Sequence, residues 1–377
     1  MRRYCALAVL TLVFGCSSPS GDEAPARQNT GLRLLGAESD AAFARATTPR
    51  EFVFPADHGA HREYRTEWWY FTGNLATAAG RHFGFELTFF RYALAPPSPR
   101  PEDASAWRTE QVWMAHLAVT DTEGRRFYAR ERLTREALGL AGATAEPLRV
   151  WVEDWAAAGD AHGDELEIAL RARDAEIGIE LDLRATVPHV PQGDRGLDAK
   201  GAEVGNASHY YSVPRLAAEG EVIVAGERFR VTGLAWLDRE WSTSSLEPGT
   251  EGWDWFALHL SDGSSLMFYR LRVRGGGSSA YSNGSLVRAD GTTLALGVDD
   301  VELTALSHWT SASTGVRYPV AWRMSVPKAG IALDVKPYLA AQEVNLSVRY
   351  WEGAVHAEGR GPGGPLTAQG YLELAGY

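Results

Sequence analysis

Apolar and polar positions alternate with period two through most of the chain beyond its first fifty residues, and stripes of helical period are scarce. The alternation runs through Gln111 to Thr120, Glu165 to Ala172, Glu176 to Val187, Arg228 to Leu237, Trp253 to Leu260, Ser265 to Val273, Tyr318 to Val326 and Leu366 to Leu374. Successive side chains of a strand point to opposite faces, so each segment buries one face and wets the other. Turn chemistry separates them, as at Asp121-Thr122-Glu123-Gly124, Asp262-Gly263 and Asp290-Gly291. Strands at this spacing predict an all-β chain of the sandwich or barrel kind. Two stretches, Pro96 to Ala106 and Pro188 to Gly205, break the rhythm and read as long loops. They are either lids over a cavity mouth or plain surface connections.

A weaker pattern is internal. Trp68-Trp69-Tyr70-Phe71, followed by Leu75, Gly80 and Arg91, echoes Trp253-Asp254-Trp255-Phe256, followed by Leu260, Gly263 and Arg270. Each copy reads as strand, turn, strand, which duplicated β-units would produce. Two antiparallel β-barrels in tandem are the simplest architecture, expected at 46–242 and 243–377.

The first residues differ in kind. Arg2 and Arg3 precede an apolar run from Ala6 to Phe14, then Gly15-Cys16 and a polar stretch. The run falls short of the ~18 residues of a membrane span and matches a secretory leader over 1–16. A small residue before the cysteine resembles the lipobox of bacterial lipoproteins, in which that cysteine is acylated and becomes the new amino terminus; plain cleavage is the alternative. The expectation is an exported protein, held to a membrane by lipid on Cys16 and facing the periplasm or exterior. Residues 17–45, rich in small and acidic residues, read as a flexible tether.

Cysteine usage narrows the chemistry. Cys5 and Cys16 are the only two, and both lie in the leader. The expected mature body therefore has no disulfide, no thiolate nucleophile and no cysteine zinc site. Its roughly 330 residues must fold on their core alone. A net charge of −11 and the lack of a basic run count against nucleic acid. The excess is aromatic, with 13 Trp, 14 Tyr and 13 Phe. Such rings line apolar or sugar-binding cavities, or simply fill a large β-core.

The densest polar and aromatic segment is Gly233 to Ser242. In an extended strand Trp236, Asp238 and Glu240 share one face, and Leu237, Arg239 and Trp241 the other. Beside a Trp ring in an apolar cavity Asp238 would stay protonated, as a general acid requires; otherwise it pairs with Arg239 or Arg270, or caps a turn. In Ser208 to Pro214, His209 and Tyr211 share a face, where the imidazole is either a structural hydrogen-bonder or a group that positions water. His58 and His61 lack a third ligand and read as loop histidines packed on aromatics. No zinc-helix pair, no Gly-x-Ser-x-Gly elbow and no phosphate loop occurs, and Gly275-Gly276-Gly277 reads as a turn. Neither metal nor cofactor is expected.

Thr66-Glu67-Trp68-Trp69-Tyr70-Phe71, Gly233 to Trp241, Gly252-Trp253-Asp254-Trp255-Phe256, Tyr350 to Val355 and Gly370 to Tyr377 come in the order found in the AttH/carotenoid 1,2-hydratase family. The chain resembles that family from about Phe52 to its end. The resemblance implies two lipocalin-like β-barrels and a cofactor-free addition of water to the terminal double bond of an acyclic carotene, with cyclases among fungal members. Protonating an alkene makes a tertiary cation, which needs a neutral carboxylic acid, aromatic faces and one ordered water. By resemblance Asp238 is the acid, Trp236 and Tyr211 flank the cation, and His209 orients or deprotonates the water. Trp68, Tyr70, Trp241, Trp253 and Trp255 are the rings expected to line the ligand site. Three functions follow: a hydratase or cyclase for an isoprenoid, fatty or polyketide-type molecule, a non-catalytic lipid carrier at a membrane, or a secreted hydrolase of glycans or esters. No protein partner is implied.

Overall fold

The computed structural model describes residues 42–99, 101, 103–243 and 246–377. Cys5, Cys16 and the leader lie outside the described residues. Strand dominates, as the alternation predicts. The first sheet contains β1 (Thr66–Ala76), β2 (His82–Ala93), β3 (Gln111–Asp121), β4 (Arg126–Arg135), β5 (Ala141–Thr144), β6 (Leu148–Val152), β7 (Trp155–His162), β8 (Glu165–Arg173), β9 (Ile177–Ala185), β10 (Val190–Pro191), β11 (Leu197–Ala199), β12 (Ala207–Val224) and β13 (Glu227–Ser242). The second contains β14 (Thr250–Leu260), β15 (Ser265–Val273), β16 (Asn283–Val287), β17 (Thr293–Gly297), β18 (Glu302–Thr310), β19 (Arg317–Val326), β20 (Ile331–Pro337), β21 (Glu343–Asn345), β22 (Arg349–Gly361) and β23 (Gly364–Ala375).

Both sheets are antiparallel and curl into near-barrels, each zipped at its first and last strands, β1 on β13 and β14 on β23. The internal echo therefore has a structural counterpart. The hairpins β1–β2 and β14–β15 hold the same place in their sheets, and each is crossed by an acid–arginine pair, Glu67 with Arg91 and Asp254 with Arg270.

Single-faced burial gives clean alternation. In β8, Leu166, Ile168, Leu170 and Ala172 are buried while Glu165, Glu167, Arg171 and Arg173 are exposed. Where the alternation fades, both faces are covered. In β1, Trp69 and Phe71 enter the first barrel's core, whereas Trp68 and Tyr70 turn outward against the second barrel. The barrels approach closely at a point where a side chain is missing. A Cβ on Gly84 of β2 would lie 2.5 Å from Ala354 Cβ of β22. Gly84→Val should therefore push the barrels apart and destabilise the protein by about 1–3 kcal/mol, the usual cost of overpacking, read as a lowered urea midpoint.

Two expectations change in detail. The stretch 188–205 is not all loop: β10 and β11 pair with the upper half of β12. Below a register shift at Val213/Leu216, which brackets Pro214, β12 pairs with β9 instead. Proline has no N–H to give the ladder, so the strand changes partners there. The packed body also begins inside the expected tether. Phe43 is buried, the Ala44 N–H donates to Glu63 O at 2.9 Å, and Arg45 Nε donates to Gly205 O at 3.3 Å. One aromatic side chain buries enough apolar surface to pin that end.

Candidate active site between the barrels

The outer faces of β1, β2, β3, β12 and β13 meet those of β14, β15, β22 and β23 around a cavity of about 160 Å³. The duplicated hairpins supply opposing rings, Trp68 and Tyr70 from β1 and Trp253 and Trp255 from β14. Tyr70 and Trp255 meet edge to face at 5.1 Å, and Phe90, Tyr92, Met114 and Leu271 complete an apolar wall.

Asp238 lines this cavity, and its neighbours are set by strand register. Cross-strand partners share a face, and Asp238 is paired with Ser212 on one side and Tyr70 on the other. Ser212 Oγ donates to Asp238 Oδ1 at 2.5 Å, Trp236 Nε1 to Oδ1 at 2.7 Å, and Tyr210 OH to Oδ2 at 2.7 Å. Arg239 pairs instead with Glu67, and Arg270 with Asp254, so among the described residues no cation pairs with Asp238. Burial pushes its pKa up, the three donors oppose the rise, and the carboxyl settles at about 7. A proton on it is thus exchangeable near neutrality.

The same face continues into a charged corner. Glu240 accepts from Ser208 Oγ at 2.5 Å and from Lys200 Nζ at 3.2 Å. Lys200, carried by the segment after β11, also pairs with Asp198, and its ammonium lies 4.1 Å from the Tyr269 ring centre. Burial alone would depress Lys200; Asp198 and Glu240 reverse this and hold it charged. On the facing wall stands Glu373 of β23, which accepts from Trp253 Nε1 at 3.0 Å. Burial, reinforced by Glu86, pushes it to about 8.

The structure brings together Asp238, Trp236, Trp68, Tyr70, Trp253 and Trp255, and separates them from His209, Tyr211 and Trp241. Those three face the interior of the first barrel. His209 lies opposite Trp241 in the β12–β13 register, and Tyr211 opposite Arg239. Tyr211 OH sits 2.6 Å from His58 Nδ1 among Phe52 and Phe54, and Trp241 stacks on His61 at 3.7 Å. Burial depresses His209 to about 4, so it is neutral and inside the wrong wall to meet water in the cavity. The residues beside Asp238 are the even-numbered neighbours, Tyr210 and Ser212. Pairing Gly233–Ser242 with Ser208–Pro214 as one antiparallel hairpin would have exposed the parity. Glu373 was signalled too, as an acid at an otherwise apolar, alternating position beside Tyr371 and Ala375. A glycan hydrolase would draw on acids of these strands, and of Glu67, Asp238, Glu240 and Asp254 the first and last are locked in ion pairs inside their barrels while Asp238 and Glu240 line the cavity. His58 and His61 do pack on rings, Phe54 and Trp241.

Two lipocalin-like near-barrels closing on an aromatic cavity with a buried, unpaired carboxyl group define the class of this protein. The chain belongs to the AttH-like family, whose model matches residues 45–377. A crystal structure of an AttH protein from Nitrosomonas europaea superposes with a TM-score of 0.77 at 33% identity, covering 89% of this chain and 100% of that one. Kievitone hydratase from Nectria haematococca shares the fold, with a TM-score of 0.67 at 15% identity over 89% of this chain and 96% of that one. Among curated proteins, the dehydratase asqC of Emericella nidulans is 26% identical over 170 residues, 42% of this chain and 46% of that protein. The chain thus spans about half the length of that relative.

Proposed function

We propose that this protein is a cofactor-independent hydro-lyase that adds water to, or removes it from, a branched apolar substrate, with Asp238 as the proton donor in the hydration direction. The observation that carries the reading is a cation-free carboxyl group, 3% exposed, in a cavity walled by tryptophan and tyrosine. In hydration the Asp238 proton goes to an alkene carbon as the π bond breaks. The cation left behind faces Trp68, Tyr70 and Trp255, whose rings are worth about 2 kcal/mol to a desolvated cation. Water then forms the C–O bond and gives up one proton. Dehydration runs the same path backwards.

The cavity volume limits what reacts. A space of about 150 Å³ takes one benzene-sized group, so a compact isoprenoid end or a polyketide ring fits, with the rest of a longer ligand outside. Kinship with proteins named as a hydratase and a dehydratase supports the same chemistry. The test is incubation in ¹⁸O-labelled water with a panel of branched alkenes and tertiary alcohols, kievitone among them. Label entering the alcohol formed from an alkene, or alkene formed from an alcohol with label exchanging into the alcohol that remains, is expected; binding seen by tryptophan quenching without any turnover across the panel would favour a carrier instead.

Membrane attachment through Cys16 belongs to the same proposal, since it holds the cavity near hydrophobic ligands. Cys16→Ala should move the protein from the membrane fraction to the soluble one on fractionation, and unchanged retention would count against the anchor.

A further inference from the structure

Around the cavity from Asp238 stands a cluster of carboxyl groups that make no ion pair among the described residues. Glu373 of β23 is paired in register with Glu352 of β22, and Glu86 reaches the same place from β2 of the other barrel. Glu86 and Glu352 are fully buried, and the Oε2 atom of each has no hydrogen-bond partner among the described residues. Burial pushes Glu352 far above the usual carboxylate range and Glu86 in the same direction. Hydroxyl donors reach only the other oxygen, from Thr88 and Tyr350 on Glu86 and from Tyr70 on Glu352, and a carboxylate ionised with one oxygen unsatisfied is so costly in such a place that the group keeps its proton. Glu373 faces Glu352 on its own wall and Glu86, Asp238 and Glu240 of the other barrel across the cavity, which Lys200 and Arg349 also line.

From Glu86 a hydrogen-bonded line of proton-exchanging groups leads out of this cluster. Tyr350 OH donates to Glu86 Oε1 at 3.0 Å, and the same hydroxyl lies 2.6 Å from His116 Nδ1. His116 Nε2 lies 3.1 Å from Glu131 Oε2, and Glu131 accepts from Ser347 Oγ at 2.7 Å. His116 is buried, while the Glu131 side chain is 18% exposed and touches water. Hydroxyl, imidazole and carboxyl groups each both give and accept protons, so every link is able to pass one on.

We propose that Glu373, backed by Glu86 and Glu352, is a second proton-exchanging group of the cavity, and that Tyr350, His116 and Glu131 carry protons between this cluster and solvent. The catalytic half rests on the hydro-lyase reading; the conduit does not. In hydration, Asp238 gives its proton to carbon while the Glu373 carboxylate takes one from the adding water. C–H and C–O bonds form, the π bond and one O–H bond break, and one proton has crossed the cavity. The conduit releases the proton from Glu373 and solvent restores the one on Asp238; dehydration uses it in reverse. With a pKa of about 7 for Asp238 and about 8 for Glu373, a single shared proton favours Glu373 about tenfold, so the hydrating form, with Asp238 protonated and Glu373 ionised, is the minor but still accessible one of the two.

Infrared spectroscopy of the protein alone, transferred from H₂O to D₂O, tests this without any substrate. Glu373→Gln and Asp238→Asn should each remove a different component of the protonated-carboxyl carbonyl band at neutral pH. Tyr350→Phe, which deletes only a hydroxyl, should slow deuteration of the cluster components several-fold and leave the Asp238 component at its wild-type rate. Glu131→Gln, at the surface, should slow the same components if Tyr350→Phe does not fold. Wild-type rates in the folded variants overturn the conduit, and an unchanged carbonyl band in Glu373→Gln overturns Glu373 as a proton carrier. Since turnover is not read, failure here and failure to hydrate any substrate are separate results.

Discussion

Asp238→Asn should lower turnover by about 10²–10⁴-fold, the usual contribution of a positioned acid, with ligand binding and folding retained. The amide has the shape of the carboxyl group and its oxygen still accepts from Trp236 and Ser212; the Tyr210 hydroxyl rotates to accept from the new NH₂. What it lacks is an exchangeable proton. Stability should respond in the opposite sense. An acid whose folded pKa is raised from 3.8 to about 7 binds more protons folded than unfolded between those values, so the wild type loses stability as pH rises through that interval. The amide does not titrate, so the variant escapes that loss, and the gap between the two proteins should widen toward neutral pH. In the wild type, hydration should fall as pH rises above about 8, where Glu373 is already ionised and Asp238 loses the proton that the reaction needs. Equal loss of turnover and ligand binding in Asp238→Asn would make the carboxyl a structural group and sink the acid role.

How much of this was legible depended on which quantity the sequence encodes locally. Alternation is local, so strands such as Glu165–Ala172 and Ser265–Val273 are readable to within a residue of β8 and β15. Grouping Trp236, Asp238 and Glu240 on one face needs only the pleat, and that grouping holds in β13. Which face meets the cavity is not local. His209 and Tyr211 were grouped correctly with each other, yet the choice between them and Tyr210 depends on the β12–β13 register, which a long hairpin fixes from its far end. Lys200 and Asp198 sat in a stretch without strand pattern, and their place in the site follows from a proline-driven change of partner in β12. Glu86 and Glu352 come from different barrels, so only the packing of one sheet on the other reveals their proximity.

The largest stability effect should come from the side of β13 that the cavity does not use. Arg239, fully buried, donates to Glu67 Oε1 at 2.8 Å, Gly59 O at 2.6 Å and Trp68 O at 2.9 Å, with its guanidinium 4.0 Å from the Trp69 ring centre. Glu67 is also held by Arg91 and His61, and His61 by Asp57, which together bind the segment 50–64 to the end of the first barrel. Arg239→Met keeps the apolar stem but strands Glu67 with a weakened set of donors and leaves the carbonyls of Gly59 and Trp68 without theirs. Breaking a buried pair in this way costs about 3–5 kcal/mol, measurable by urea unfolding, while turnover per folded molecule should persist because Asp238 lies on the opposite face. The pH dependence identifies the cause. Burial alone would raise Glu67, but Arg239, His61 and Arg91 hold it well below 4.5, so its contribution is present above pH 4.5 and is lost as pH falls from there. Burial alone would lower His61, but Glu67 and Asp57 raise it above 6.5, so its contribution is complete below pH 6.5 and is lost as pH rises through the raised value. The network itself therefore stabilises most between pH 4.5 and 6.5; because Arg239 also lowers His61, charged His61 compensates in part for its removal, so the difference between wild type and Arg239→Met should be small below pH 4.5 and largest above pH 6.5, as His61 loses its proton. A difference independent of pH would assign the loss to packing against Trp69 and not to the charges.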